Sequence, residues 1–486
     1  MFPAASIGHS GRPNRSGTVT NPRRDLTTGP IGPTLMAFAL PTLGSNVLQS
    51  LNGSINAIWV GRFLGEDALA ATSNANIIMF LMFGAVFGFG MAATILIGQS
   101  WGRRDVEGAR RAFGSAIGLV LAASVVAALV GWAATHDILI LLATPPQALP
   151  LAEDYLRVIF LGLPASMMLV LVMMGLRGTG DAMTPLWFMI LGVILDAGLN
   201  PLLILGVGPF PRMGIAGSAF ATLISGTVSI VALVVWINLR DLPIRLRGAE
   251  LAYLRPQRAL AKTILAKGLP IGAQMLVISL AGLAMVGLVN REGVATTAAY
   301  GITLQLWGYI QMPALAIGAA VSAMAAQNIG ADRWDRVGQV TRIGIVYNIA
   351  LTGVLVVAVL WFDRTTLGLF LAPDSPAIPI GQRISMIASW SFILFGVTMV
   401  LFGTVRANGA VWGPLLILFV AMFPIRLGLS LWLRPALGAD ALWWSFPAGS
   451  LATLVGAALY YRYGPWRRGA LRVPQPDEAV PAGSTT

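Results

Sequence analysis

Cysteine is absent from all 486 residues, and histidine occurs only twice, as His9 and His136. The chain therefore cannot build a disulfide framework, a thiolate zinc site or a thiol nucleophile. Two histidines, one in a polar tail and one in a short loop, are too few for histidine-based metal sites. Charge is scarce as well. Only 11% of the residues are charged, against roughly 25% for an ordinary soluble domain. Nucleotide-binding and hydrolase signatures are missing: no GxxxxGKS/T loop, no HExxH, and no GxSxG with plausible triad partners. ATP hydrolysis by this chain is thus not an energy source, and neither an enzymatic activity nor a cofactor is expected.

What the chain has in quantity is apolar length. Hydrophobic residues make up 56% of it, and the mean hydropathy is +0.76. A helix needs about 20 apolar residues to cross the hydrocarbon core, and twelve runs qualify: 34–60, 72–99, 112–135, 155–176, 185–207, 216–239, 264–290, 296–327, 341–362, 384–405, 412–433 and 440–462. Spanning β-strands would be about half as long and alternate in polarity, so the runs read as helices. The expected fold is an all-α polytopic membrane protein.

The net charge of +12 would suggest nucleic acid in a soluble protein. Here the basic residues fall mostly in short loops between apolar runs, the positive-inside pattern, so no nucleic-acid partner is expected. With both termini inside, 24 of the 32 Lys and Arg lie on the cytoplasmic side, 7 lie outside, and Arg426 is within a span. This predicts a multi-pass protein of the cell inner membrane with cytoplasmic termini. Residues 1–33 have no apolar signal-peptide core and read as a disordered tail, as do residues 463–486. The polar stretch 240–263 is the one sizeable break in mid-chain, and it divides a lobe at 34–239 from a lobe at 264–462.

The two halves repeat each other. Leu176–Pro185 reads LRGTGDAMTP and Val405–Pro414 reads VRANGAVWGP, with Arg177/Arg406, Gly180/Gly409 and Pro185/Pro414 all at a numbering offset of 229. Pro41 and Pro270 share that offset, while Gly90/Gly318, Gln99/Gln327 and Gly102/Gly330 are offset by 228. Six spans separate matched points. Six is even, so the halves enter the membrane in the same direction and form a parallel repeat.

The polar residues inside the spans carry the chemistry. Asp196 lies at the centre of 185–207, where a carboxylate costs roughly 2.5–3.5 kcal/mol on insertion scales and marks an ion or substrate path. Asn200 follows one turn later on the same face. In the first span Ser45, Gln49, Asn52 and Asn56 form a stripe at helical spacing. The two stripes together predict a polar pocket in the first lobe, although amides in membrane helices also serve as plain interhelical glue. An offset of 229 sets Ile425 against Asp196 and Leu429 against Asn200, so the second lobe is expected to lack this pocket. Arg426, near Pro424 and four residues from Ser430, reads as a snorkelling or backbone-paired side chain. The methionines 167, 168, 173 and 174 read as packing, and most of the tryptophans as interfacial belts. Pro41 and Pro270 are candidate hinges.

Several segments resemble multidrug and toxic compound extrusion (MATE) transporters. They are ALPTLGSNVLQSLNGSINAIWVGRFLGEDALAA (39–71), GQSWGRRDVEGARR (98–111), LRGTGDAMTP (176–185) and MGIAGSAFAT (213–222), then KGLPIG (267–272), AAYGI (298–302), AAQNIGADRW (325–334) and VRANGAVWGP (405–414). The resemblance runs from about residue 34 to 460, and its pattern is nearest to the prokaryotic DNA-damage-inducible branch. It implies two six-helix lobes around a V-shaped central cavity, and exchange of H⁺ or Na⁺ for amphipathic, often cationic compounds by alternating access. In that branch the first span carries an acid where this chain has Asn56. A later helix carries NxxLDP where this chain has DAGLNP (196–201), so acid and amide have exchanged places. Thr222 falls in the segment that lines the same site.

The carboxylates of the branch with a second-lobe cation site would fall near Ile278 and Phe395, neither of which is acidic. The expectation is therefore an H⁺-coupled antiporter, with Na⁺ as the alternative ion. Asp196, Asn200 and Asn56 would bind the ion, Gln49, Asn52, Ser45 and Thr222 would line the pocket, and Pro41 would act as hinge. The expected partners are a small-molecule substrate and membrane lipid, with the protein acting as a monomer. A flippase for lipid-linked precursors and a membrane receptor or scaffold are the competing readings. The flippase would want several cavity arginines, and only Arg426 and Arg406 offer themselves.

Overall fold

The computed structural model of the chain describes residues 25–142, 144–368 and 375–468. Eleven helices are long and apolar enough to cross a membrane, and a twelfth crossing is a pair of helices bent by 43°. We number the crossings in order. The first lobe holds α1 (Ile31–Leu64), α2 (Glu66–Gly102), α3 (Val106–Ala133), α4 (Leu149–Gly178), α5 (Met183–Leu205) and α6 (Ile215–Leu239). The second holds α7 (Arg258–Val289), α8 (Val294–Gly330), α9 (Trp334–Trp361), the bent α10 (Ala377–Ala388 with Ser391–Ala407), α11 (Trp412–Trp432) and α12 (Asp440–Tyr463). Each matches one of the twelve expected apolar runs. Most begin or end several residues beyond them, because a helix does not stop where the hydrocarbon does.

Local chemistry sets the ends. Asp105 caps α3 by accepting from the Gly108 amide at 2.7 Å, and Asp181 caps α5 by accepting from the Thr184 amide at 3.0 Å. The tight α1–α2 and α7–α8 corners turn on Gly65 (φ +86°) and Gly293 (φ +100°), a conformation that disfavours any side chain. These two glycines are themselves repeat mates, so both helix pairs reverse through the same device.

The core of the first lobe is built where α4 packs against α2, α3 and α6. Met167, Met168, Met173 and Met174 are all buried there, as packing requires. Of the tryptophans, Trp361, Trp390, Trp412 and Trp444 are exposed, whereas Trp307 and Trp443 are buried in an aromatic core of the second lobe. The belt reading therefore fails for those two.

The segments expected to be tails and linker are partly built into the fold. Leu26 is buried; its amide donates to Gln327 Oε1 at 3.1 Å and its carbonyl accepts from Asn328 Nδ2 at 3.1 Å. Arg333 and Arg336 donate to the Thr27 and Gly29 carbonyls. An apolar residue and its backbone neighbours thus tie residues 26–29 to the second lobe, and the expected disordered tail 1–33 is corrected at its inner end. Residues 1–24 lie outside the described residues. At the other terminus Trp466 is buried, and its carbonyl accepts from Asn408 Nδ2 at 2.6 Å. The tail expected from 463 is therefore docked at least that far, and residues 469–486 lie outside the described residues. The 240–263 linker is shorter than expected, since α7 already begins at Arg258. Its turn of 3₁₀-helix, Gly248–Leu254, lies against Gly114 and Gly118 of α3, with Arg110 paired to Glu250 at 2.6 Å.

The lobes meet at the end that carries the basic loops. Gln99 Nε2 of the first lobe donates to the Ala407 carbonyl of the second at 2.6 Å. Gln327 Nε2 of the second donates to the Gly178 carbonyl of the first at 3.0 Å. Beside them Gly102 abuts the Gln327 backbone and Gly330 abuts the Gln99 backbone, so close that a Cβ on either would overlap a carbonyl. Donors, acceptors and glycines are all repeat mates, and a pseudo-twofold axis passes between them.

Candidate functional site

Asp196 sits on α5 with only 1% of its surface exposed, and Asn200 one turn on is fully buried. The i, i+4 spacing lets the Asn200 amide serve three acceptors: Asn56 Oδ1 of α1 at 2.8 Å, the Asp196 carbonyl at 3.0 Å and Asp196 Oδ1 at 3.4 Å. Thr222 of α6 donates its hydroxyl to Asp196 Oδ1 at 3.1 Å. The Asn52 and Asn56 side chains approach the same carboxylate from α1. Three helices thereby converge on one acid.

Three acceptor oxygens of the cluster are left without a well-aligned donor. Asp196 Oδ2, Asn52 Oδ1 and Asn200 Oδ1 are all buried without a hydrogen-bond partner in the protein. Each such group costs about 1–3 kcal/mol, more if charged. A cation supplied to this cluster, whether a proton on Oδ2 or a metal ion among the oxygens, would satisfy what the protein leaves open. No cysteine or histidine takes part, so the donor set is hard oxygen only.

Five of the expected pocket and ion residues are thus brought together: Asp196, Asn200, Asn56, Asn52 and Thr222. Two stand apart. Ser45 is buried but gives its hydroxyl to the Pro41 carbonyl at 3.0 Å, and Gln49 is exposed. The α1 stripe winds past the cluster, and only its last two members reach Asp196. Pro41 lies buried inside α1, which runs through it as continuous helix.

One participant was missed. Tyr155 of α4 is buried and lies near enough to Asp196 to feel its charge. It stands next to Glu153 and Asp154, and a span expected to begin at 155 would leave it at the membrane edge. The helix begins at Leu149 instead, which carries Tyr155 nearly two turns inward.

The second lobe carries a different group at the corresponding place. In α11, residues Ala421–Leu427 form a π-helical turn, which accommodates one additional residue. Beyond it the repeat offset becomes 230: Gly198 aligns with Gly428, Leu199 with Leu429 and Asn200 with Ser430. Asp196 therefore corresponds to Arg426, not Ile425. The α6 and α12 helices align through Gly214 (φ 56°, ψ −131°) and Gly438 (φ 59°, ψ −135°), which sets Phe446 against Thr222. Phe446 is the residue on which Arg426 stacks, 3.6 Å from guanidinium to ring centre. Where the first lobe has an acid touched by threonine, the second has a guanidinium covered by phenylalanine.

Arg426 makes no hydrogen bond to backbone among the described residues. Its Nη1 contacts Met422 Sδ at 3.6 Å, and its Nε is buried without a partner. A cation–π stack recovers about 0.5–2 kcal/mol, less than the roughly 2.5–3.5 kcal/mol that a mid-membrane charge costs on insertion scales.

Comparison with known proteins agrees with this architecture. The MatE family model matches residues 41–202 and 270–432. The two matched segments begin at an offset of 229 and end at an offset of 230, as the π turn requires. A probable multidrug resistance protein, YoeA, of Bacillus subtilis (strain 168) is 35% identical over 428 residues, covering 88% of this chain and 92% of the relative. The FAD transporter of Shewanella oneidensis is 26% identical over 350 residues, covering 72% and 76%. A crystal structure of MATE in complex with MaL6 superposes with a TM-score of 0.84 at 21% identity, covering 91% of this chain and 98% of that one. An outward-facing MATE transporter of the MOP superfamily gives 0.83 at 21%, covering 90% and 96%. The chain belongs to the MatE family and is a multi-pass membrane transporter of the multidrug-efflux type.

Proposed function

We propose that the chain is an H⁺-coupled antiporter that exports amphipathic organic compounds, cations among them, from the cytoplasm across the inner membrane. The observation that carries this reading is the buried Asp196 Oδ2, which makes no hydrogen bond of good geometry although the Asn52 and Asn56 amides lie near, and which shares its cluster with two further orphan acceptors. Protonation removes the charge and turns that oxygen into a donor for its neighbours. Asn52 and Asn56 report the change to α1, and Pro41, which leaves one turn of α1 without its backbone bond, lets that helix bend. Release of the proton on the other side restores the charged, substrate-competent state. Each ligand biases one equilibrium between inward- and outward-open arrangements, as alternating access requires.

Sodium is the less supported ion. A single carboxylate among amide and hydroxyl oxygens offers one negative charge, whereas a proton needs only one oxygen. The names of the relatives favour drug-like substrates, and the Shewanella protein extends the range to a flavin dinucleotide. In this reading the protein acts as a monomer in lipid, with both termini in the cytoplasm. Proteoliposomes carrying a fluorescent cation separate the ions: a pH gradient alone drives exchange, and a Na⁺ gradient at equal pH does not. Exchange driven by Na⁺ alone would reject the proton assignment.

A further inference from the structure

We infer that Arg426 and the aromatic wall behind it form an anion-recognising half-site, so that the exported compounds include aromatic molecules bearing a carboxylate, sulfonate or phosphate. The inference rests on the efflux reading above and names the substrate class more closely. Its basis is the second lobe's replacement of the first lobe's acid by a guanidinium at the equivalent position.

Arg426 carries five N–H donors. Among the described residues its surroundings include the Phe446 face, the Met422 thioether and Tyr300, and it has no ion-pair partner. Three acids of that lobe are engaged elsewhere: Glu292 pairs with Arg434 at 2.5 Å, Asp440 pairs with Arg383, and Asp363 accepts from Gln382 at 2.9 Å. The residue as a whole is only partly buried. Its Nε is already stripped of water without a partner.

The surroundings select the rest of the ligand. Phe446 lies 4.8 Å from Trp307 and 6.3 Å from Tyr300 between ring centres, and Tyr300 lies 5.6 Å from Trp443. Trp307 is fixed by its indole N–H bond to Ser389 Oγ at 2.8 Å. A guanidinium stacked on this wall keeps its donors at its edge, and a guanidinium fork suits a planar or tetrahedral oxyanion. Aromatic surface beside it favours a ring attached to that anion. The π turn supplies the register, since without its extra residue Ile425 would stand here.

The test is equilibrium binding in lipid nanodiscs, read by energy transfer from tryptophan to pyrene, with empty nanodiscs as blank. The matched probes are 1-pyrenebutyrate and the trimethylammonium compound with the same ring and chain. The wild type is expected to bind the butyrate at least about tenfold more tightly. Arg426→Gln abolishes that preference by weakening the butyrate alone, and Arg426→Lys, which keeps the charge but loses the fork, retains part of it. Equal binding of the two probes, or an unchanged preference in a monodisperse Arg426→Gln, overturns the inference. Potassium chloride or inorganic phosphate that displaces the butyrate at low millimolar concentration assigns the site to a free ion and overturns it as well. No gradient is applied, so the result stands or falls independently of proton coupling. Gly287→Ala, with open space around its position, serves as the internal comparison and is expected to keep the preference for the anion.

Discussion

Gln99 and Gln327, mates in the internal repeat, make the same bond in opposite directions across the lobe interface. Gln99 donates to Ala407 and Gln327 to Gly178, and the two acceptors are themselves repeat mates. The pair is not equivalent. Gln327 also accepts from the Leu26 amide at 3.1 Å, whereas Gln99 Oε1 is buried without a partner. Gln327→Ala therefore removes two bonds and orphans the Leu26 amide, while Gln99→Ala removes one bond and relieves an orphan acceptor. Loss of a buried bond costs about 1–3 kcal/mol. Gln327→Ala should shift the population away from closure at this end more than Gln99→Ala does. Distances between spin labels on the two lobes, measured by pulsed electron resonance, check the order.

Close backbone approach makes Gly102 and Gly330 intolerant of any side chain. Gly102→Ala and Gly330→Ala should each cut transport by about tenfold or more, because an obstacle to closure of about 1.4 kcal/mol already suffices for that factor. Gly287→Ala on α7 has open space around its position and should transport at nearly the wild-type rate. Initial rates in proteoliposomes compare the three.

Thr222 and Asn56 hold the acid from two different helices. Thr222→Val removes a donor to the carboxylate without changing volume, and a hydrogen bond to a charged group contributes about 1.5–3 kcal/mol. Thr222→Ser keeps the donor. The pH profile of exchange should move in the valine variant and remain near wild type in the serine variant. A purely structural role for Thr222 predicts lowered thermal stability with an unmoved profile.

The absence of cysteine makes topology directly measurable, since every introduced thiol is unique. Arg247→Cys lies in the linker and Arg212→Cys in the α5–α6 loop, at opposite ends of α6. A membrane-impermeant maleimide applied to intact cells should label Arg212→Cys and leave Arg247→Cys unlabelled until the membrane is opened. The reverse pattern would invert the orientation inferred from the basic loops.

Much of this architecture is legible in the chain because its signals are strong and local. Apolar runs of about twenty residues admit one conformation in lipid, and a mid-span carboxylate such as Asp196 stands out against them. The repeat placed Gln99 opposite Gln327 by arithmetic alone. What stayed hidden depends on backbone hydrogen bonding and on distant partners. The π turn in α11 has no residue signature beyond Pro424, yet it moves the counterpart of Asp196 from Ile425 to Arg426. Tyr155 was obscured by a helix that starts earlier than its hydropathy does. Ser45 shares the spacing of Asn52 and Asn56, but spacing does not say that its hydroxyl bonds its own helix. Leu26, alone among polar neighbours, gave no reason to expect that the second lobe buries it.

In the cycle proposed above the proton couples through Asp196, and transport by Asp196→Asn decides that proposal. Wild type and variant, reconstituted at equal density, are loaded with a fluorescent amphipathic compound and given an inward-acid or inward-alkaline jump at constant Na⁺. Coupling through this carboxyl predicts pH-driven exchange in the wild type. It also predicts loss of that drive in a monodisperse Asp196→Asn. Full-rate exchange by Asp196→Asn against the same pH gradient would contradict it.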